Sequence, residues 1–131
     1  MKKVFLSLAV LFACASVYAR EYSIRVDSTS VPAAAQEILV QRFAQMLEAG
    51  GHTVGEDGIE IFVSGEVLDR METAGSMSQT ALSVVITAQC GDVKAEFPLK
   101  GVGEDEADAW VRAAKRFLPR SQEARAFVER L

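Results

Sequence analysis

The spacing of apolar residues changes period along this chain, and that change constrains the fold more than any other feature of the sequence. Tyr22, Ile24 and Val26 alternate with polar residues, which is the period of a half-buried strand. Over residues 31–49 the apolar side chains recur every three or four positions, which is the period of an amphipathic helix. The two periods together predict an α+β domain.

Three further strands and two further helices are predicted downstream. Alternating segments indicate strands at 59–68, 80–90 and 93–100, and helical spacing returns at 104–118 and 121–131. The order β-α-β-β-β-α-α predicts a single four-stranded mixed sheet with helices packed on one face. The first two strands should be parallel and the others an antiparallel meander. Pro98 lacks an N–H group, which predicts that the last strand lies at a sheet edge.

The first 19 residues have the layout of a bacterial secretory signal peptide. Lys2 and Lys3 form a short positive segment, an apolar run follows, and Ala19 ends a stretch suited to cleavage. The apolar run is too short for a permanent membrane span, which takes about 20 residues. Residues 1–19 are therefore predicted to be a signal peptide, and residues 20–131 a single periplasmic or secreted domain.

An alternative processing site lies inside the same segment. Leu11-Phe12-Ala13-Cys14 resembles a lipoprotein box, in which Cys14 is lipidated and becomes the first residue. Phe12 fits this box poorly, because a small residue is usual there. Cleavage after Ala19 is the favoured hypothesis, and a membrane anchor is expected only if Cys14 is lipidated.

The charge balance argues against whole classes of partner. The net charge is −4, and it falls to −6 once Lys2 and Lys3 leave with the signal peptide. An acidic domain repels phosphate backbones and anionic headgroups, so neither nucleic acid nor an anionic membrane surface is an expected partner. Cys90 is then the remaining cysteine, so stability has to come from the apolar core rather than from an internal disulfide.

The reactive side chains do not form a catalytic pattern in the sequence. His52, the single histidine, follows a glycine pair and is predicted to be a solvated loop residue rather than a catalytic base. Cys90 lies at the hairpin end of its strand, where a small buried residue is favoured over a reactive thiol. Gly101 and Gly103 lack the third glycine of a dinucleotide fingerprint. No catalytic residue and no cofactor is predicted, and the protein is not expected to be an enzyme.

An acidic run precedes and opens the second helix. Glu104, Asp105, Glu106 and Asp108 fall around its first turn, where they stabilise the helix dipole and repel a phosphate. Their side chains diverge around the helix start, whereas a calcium loop needs alternating ligands and an internal glycine turn. The run is interpreted as a helix cap, and no metal site is predicted.

Residues 69–79 break the strand pattern and are predicted to be a long loop. Loops of this length often carry functional contacts, and exposed methionines suit an adaptable surface. The predicted partner-binding residues are Arg70, Met71 and Met77. The alternative is an ordinary hairpin whose methionines fold back on the sheet.

Two short motifs carry a family resemblance. The second strand contains Val-Ser-Gly-Glu-Val at 63–67, and a G-x-G…A-W…A pattern opens the second helix. The residues of this pattern are Gly101, Gly103, Ala109, Trp110 and Ala113. Over residues 22–118 the order of elements resembles small α/β domains of bacterial envelope accessory proteins. These include the nucleotide-free domain of the curli-secretion lipoprotein family, the amino-terminal domain of TolB and the flagellar assembly protein T family.

The resemblance implies a class of function and transfers no catalytic residue. It implies an envelope accessory or assembly module that acts by contact with another envelope protein, whose identity the sequence does not give. The alternative hypothesis is a periplasmic carrier of a small molecule or lipid, with a cavity between the sheet and the helices. The inward-facing apolar side chains look numerous enough to fill that space themselves, which favours the first hypothesis.

Overall fold

The computed structural model describes residues 19–73, 75 and 78–131, which form one mixed sheet and three helices. The strands are β1 (Glu21–Val26), β2 (Thr53–Val54), β3 (Ile59–Thr73), β4 (Gln79–Cys90) and β5 (Val93–Gly103). The helices are α1 (Ala33–Ala49), α2 (Glu106–Lys115) and α3 (Gln122–Glu129). The predicted α+β class and mixed sheet are confirmed. Apart from Ala19, the predicted signal peptide, including Cys14, lies outside the described residues.

The strands follow the order β2-β1-β3-β4-β5 across the sheet. β1 is parallel to β2 and β3, whereas β3, β4 and β5 form an antiparallel meander. The predicted parallel pairing of β1 with β3 and the predicted antiparallel meander are therefore confirmed. β5 lies at one edge, and its register with β4 continues through the pair Val85 and Pro98, in agreement with the edge position predicted from the proline.

The prediction of four strands is wrong, because β2 adds a fifth at the other edge. The amide of Thr53 donates a hydrogen bond of 3.0 Å to the carbonyl of Arg20, and the amide of Gly55 donates one of 2.9 Å to that of Tyr22. β2 has two residues. A strand this short has no alternating pattern, since its backbone bonds to β1 define it.

The prediction of a long loop at 69–79 is also wrong, because most of this segment is strand. β3 continues to Thr73, which pairs with Gln79 at the start of β4. We call residues 66–73 of β3 with residues 79–85 of β4 the ribbon. Its register shifts between Val67 and Asp69, so Leu68 is the extra residue of a β-bulge.

The bulge changes which residues of β3 face the helices. Before it, Gly65 pairs with Ile86, which is buried in the core. Beyond it, Arg70 pairs with the buried Leu82, so Arg70 now lies on the helix-covered face. Met71 consequently lies on the opposite face of the sheet.

The core lies between the sheet and the helices and is filled by aromatic rings. Phe43 of α1 stacks on Phe117 with 4.7 Å between ring centroids. Phe97 of β5 meets Phe117 edge to face at 4.9 Å. The helical period over residues 31–49 predicts one apolar stripe on α1, and all of its members are buried, namely Ala35, Leu39, Phe43, Met46 and Leu47. The space in which the carrier hypothesis placed its cavity is thus occupied by side chains.

The backbones of α2 and β5 lie in direct contact, because glycines on the strand face alanines on the helix. A Cβ atom added to Gly101 would overlap the backbone of Ala109 and Ala113. The helical spacing of apolar residues over 104–118 predicts that Ala107 and Leu118 lie on the buried stripe of this helix, yet both are exposed. The buried face is rotated toward the alanines, since they allow the closest approach to the glycine strand.

Candidate functional site

The ribbon carries two of the three predicted partner-binding residues, Arg70 and Met71, and presents apolar side chains to solvent. Met71 is 63% exposed, and Leu68 and Val102 are also exposed. Met71 pairs with Ala81, and Ala81 pairs with Val102. Residues in register on adjacent strands share a face. Met71, Ala81 and Val102 therefore form an apolar row across β3, β4 and β5 on the face opposite the helices.

The outer edge of the ribbon is open within the described part of the chain. The pairing of β1 with β3 ends at Val63, and the amide of Gly65 donates a hydrogen bond of 3.1 Å to Ser30 Oγ. Beyond this point no described strand lies beside β3 on the side away from β4. The sheet therefore narrows to three strands at this end and offers unpaired backbone groups next to the apolar row.

Arg70 connects the ribbon to the helical layer instead of standing free in a loop. Its guanidinium lies 2.6 Å from Glu72 and 3.2 Å from Glu106 at the start of α2. Exposed ion pairs of this kind contribute about 0–1 kcal/mol each, so they orient the ribbon more than they stabilise it. Met77, the third predicted partner-binding residue, lies outside the described residues. The structure thus places Arg70 and Met71 on opposite faces of one strand.

A groove lies at the other end of β3, where β1 begins. It has a volume of about 670 Å³ and is bordered by the end of α1, the segment after α2, and α3. Arg20, Arg120 and Arg125 line it together with the buried Tyr22 and with His52. These residues come from segments far apart in sequence. No local sequence motif indicates the groove, and it was not predicted.

His52 is buried, which corrects the prediction of a solvated loop residue. The side chain is 9% exposed, and its ring meets Tyr22 edge to face at 5.1 Å. Nδ1 accepts a hydrogen bond of 3.1 Å from the amide of Arg20. Burial, and secondarily the charge of Arg20, lowers the pKa of His52 below its ordinary value. The histidine therefore joins the chain before β1 to the segment that leads into β2.

Cys90 packs against the core at the end of β4 and is half-buried. Burial raises the pKa of its thiol, and the positive charge of Arg20 opposes this only in part. A raised pKa keeps the sulfur in the less reactive thiol form at neutral pH. Its position agrees with the predicted small core residue, although the side chain is not fully enclosed.

The acidic run at the start of α2 forms the predicted helix cap. Asp105 Oδ1 accepts a hydrogen bond of 2.8 Å from the amide of Asp108. Asp108 Oδ2 in turn accepts from the amide of Glu104 at 3.0 Å and from Arg112 Nε at 3.2 Å. The backbone hydrogen bond from Glu104, with a smaller contribution from Arg112, lowers the pKa of Asp108. These carboxylates are engaged by the helix start itself.

Two properties of the described residues bear on metals and membranes. Within the described ranges, no three His, Cys, Asp or Glu side chains converge in an arrangement suited to a metal ion. Among α1, α2 and α3, no helix is both long and apolar enough to cross a membrane.

The fold has a counterpart among solved structures. The chain is similar to a minor lipoprotein from Acinetobacter baumannii, with a TM-score of 0.52 and 14% sequence identity. The similarity covers 88% of this chain and 97% of that protein. At this identity it shows a shared fold alone. No family model and no curated protein matches the sequence, and no comparison confirms the three envelope families named above.

Proposed function

We propose that this protein is a non-enzymatic accessory module of the bacterial envelope and that it binds another envelope protein through the ribbon. The observation that carries the proposal is the exposed apolar row formed by Met71, Ala81 and Val102 beside the open edge of β3. Burying one large apolar side chain of this kind contributes about 1.5–3 kcal/mol, so a few such contacts supply useful affinity.

The ribbon combines the apolar row with features that limit edge-to-edge pairing with unrelated strands. The bulge at Leu68 twists the edge of β3, and the charged side chain of Asp69 lies on the same face as the row, two residues before Met71. Edges protected in this way resist self-association while remaining open to a partner of matching shape. The protected edge therefore supports specific recognition of one protein rather than non-specific association.

Two observations support an envelope location. The first 19 residues have the layout of a secretory signal peptide. The fold is shared with a protein described as a minor lipoprotein. An exported domain with this fold and an exposed apolar row suits an assembly role, in which contact rather than bond-making is the activity.

Site-specific photo-crosslinking tests the proposal. A photoreactive phenylalanine analogue replaces Met71 in one variant and Leu118 in another, and crosslinked products are isolated from intact cells. Leu118 is a matched control, because its side chain is also 63% exposed but lies in the segment after α2. We expect one discrete adduct from the Met71 position and none from Leu118.

Met71→Glu should then reduce affinity for the crosslinked partner at least tenfold, which corresponds to about 1.4 kcal/mol, whereas Leu118→Glu should not. An adduct that is a second copy of this chain would replace the proposed partner with self-association. Equal labelling from both positions, or none from either, would contradict the proposal.

A further inference from the structure

The groove at the start of β1 has a local charge opposite to that of the molecule. Arg20, Arg120 and Arg125 line it, against the single acidic side chain of Glu129. The whole chain carries a net charge of −4. Three guanidinium groups gathered on an acidic protein form a local positive field, which attracts anions to this groove more strongly than to other parts of the surface.

These arginines are not neutralised by ion pairs within the described chain. The ion pairs between described residues involve Arg25, Arg70 and Arg112, and each of these lies outside the groove. A guanidinium presents a planar set of donors that matches carboxylate and phosphate oxygens. The donors of the groove therefore remain available to an external anion.

The rest of the groove wall is apolar. Met46 at the end of α1 and Val128 on α3 line it, together with Leu131 after that helix. The ring of Tyr22 also contributes, although the tyrosine is almost completely buried. An occupant that satisfies both parts of the surface has an anionic head and an apolar body. A volume of about 670 Å³ lies within the range typical of small-molecule sites.

We propose that this groove binds a small amphiphilic anion, with a carboxylate or phosphate head against Arg20, Arg120 and Arg125 and an apolar chain against Met46 and Val128. The site is independent of the ribbon, which lies at the opposite end of β3. It also differs from the enclosed carrier cavity, because the space between sheet and helices is filled and the groove opens at the margin of the helical layer.

Isothermal titration calorimetry with three ten-carbon amphiphiles, each kept below its micelle concentration, tests the site. Decanoate carries a carboxylate, decyl phosphate a phosphate, and decyltrimethylammonium a positive head on the same chain. We expect at least one of the two anions to bind and the cation not to bind. The tighter of the two anions identifies the preferred head.

Paired arginine variants locate the binding. Arg120→Gln with Arg125→Gln should weaken anion binding at least tenfold. Arg42→Gln with Arg116→Gln removes the same charge outside the groove and should leave the affinity unchanged. Thermal unfolding of both variants verifies that they fold. Absence of anion binding to the unaltered protein, equal binding of the cation, or equal loss in both double variants would overturn the proposal.

Discussion

At the scale of single residues, His52 shows how one buried ring joins two chain segments. Its Nδ1 accepts from the amide of Arg20, so the proton of the neutral ring lies on Nε2. Protonation would turn the acceptor into a donor facing the Arg20 amide. Burial and the nearby guanidinium of Arg20 both disfavour that charged state, which is why the pKa of His52 is lowered.

The lowered pKa of His52 predicts a loss of stability in mild acid. Below the ordinary value of 6.5 the unfolded chain binds a proton at His52 that the folded protein excludes, so the free energy of unfolding falls as pH decreases. The loss continues until the folded-state pKa is reached. Urea unfolding between pH 6.5 and about 5, above the range of ordinary carboxylates, should show this slope, and His52→Gln should flatten it.

Direct titration provides an independent measurement of the same group. The chain has one histidine, so its ring proton resonance is unambiguous in an untagged protein. We expect a midpoint below 6.5 in the folded protein and the ordinary midpoint in urea. A folded-state midpoint at or above the value in urea would contradict both the burial argument and the stability prediction.

At the scale of elements, the contact between α2 and β5 depends on the absence of side chains. A Cβ atom at Gly101 would overlap the backbone of α2, and one at Gly103 would lie 2.5 Å from the amide nitrogen of Ala109. The glycines that resembled an incomplete nucleotide fingerprint thus have a packing role. Together with Asp105 as the helix cap, they fix where α2 begins and how closely it approaches the sheet.

Gly101→Ala should destabilise the protein, because α2 has to move away from β5 to admit the methyl group. Overpacking of this kind costs about 1–3 kcal/mol. Chemical unfolding should show the loss, and Lys100→Ala is the matched control, since Lys100 is the exposed neighbour on the same strand. A surface change of that type usually stays within about 0.5 kcal/mol. Equal stability of the two variants would show that the contact is not tight.

Sequence periodicity predicted the elements that bury one face and missed those that do not. The buried stripe of α1 was predicted in full, because Leu39 and Phe43 repeat at helical spacing against a polar face. Residues 69–73 of β3 were assigned to a loop because the side chains on both faces of this segment are exposed and the bulge at Leu68 interrupts the alternation. β2 was not predicted because two residues are too few to show a periodic pattern.

The candidate sites were predictable to different degrees for a related reason. Arg70 and Met71 lie close together in sequence, so a local reading could select them even though it assigned them to a loop. Arg20, Arg120 and Arg125 meet only through the packing of α1 and α3. Long-range contacts of this kind leave no local pattern in a single sequence.

At the scale of the whole molecule, the two proposed surfaces lie at opposite ends of β3. The groove lies where β1 and β2 widen the sheet, and the ribbon lies where only β3, β4 and β5 remain. The groove includes Arg20, the first residue after the predicted cleavage site. Processing after Ala19 would place a free amino group beside His52, at the position of the amide that now donates to Nδ1.

Intact-mass analysis of the exported protein tests the predicted processing. Cleavage after Ala19 should give a chain that begins at Arg20, and Cys14→Ser should leave that mass unchanged. Ala19→Leu should instead block cleavage, because the site requires a small residue. A mature chain that begins with an acylated Cys14, and is lost in Cys14→Ser, would establish the lipoprotein alternative.

The bulge at Leu68 sets the surface character of the whole ribbon through a single residue. If Leu68 took a regular place opposite Ser83 instead of bulging, every later residue of β3 would move one position along β4. That shift would exchange the two faces of β3 from that point to Thr73. Met71 would then point toward α2, and the guanidinium of Arg70 would leave Glu106 for the outer surface. One extra residue in β3 therefore decides whether the outer face of the ribbon carries the side chain of Met71 or that of Arg70.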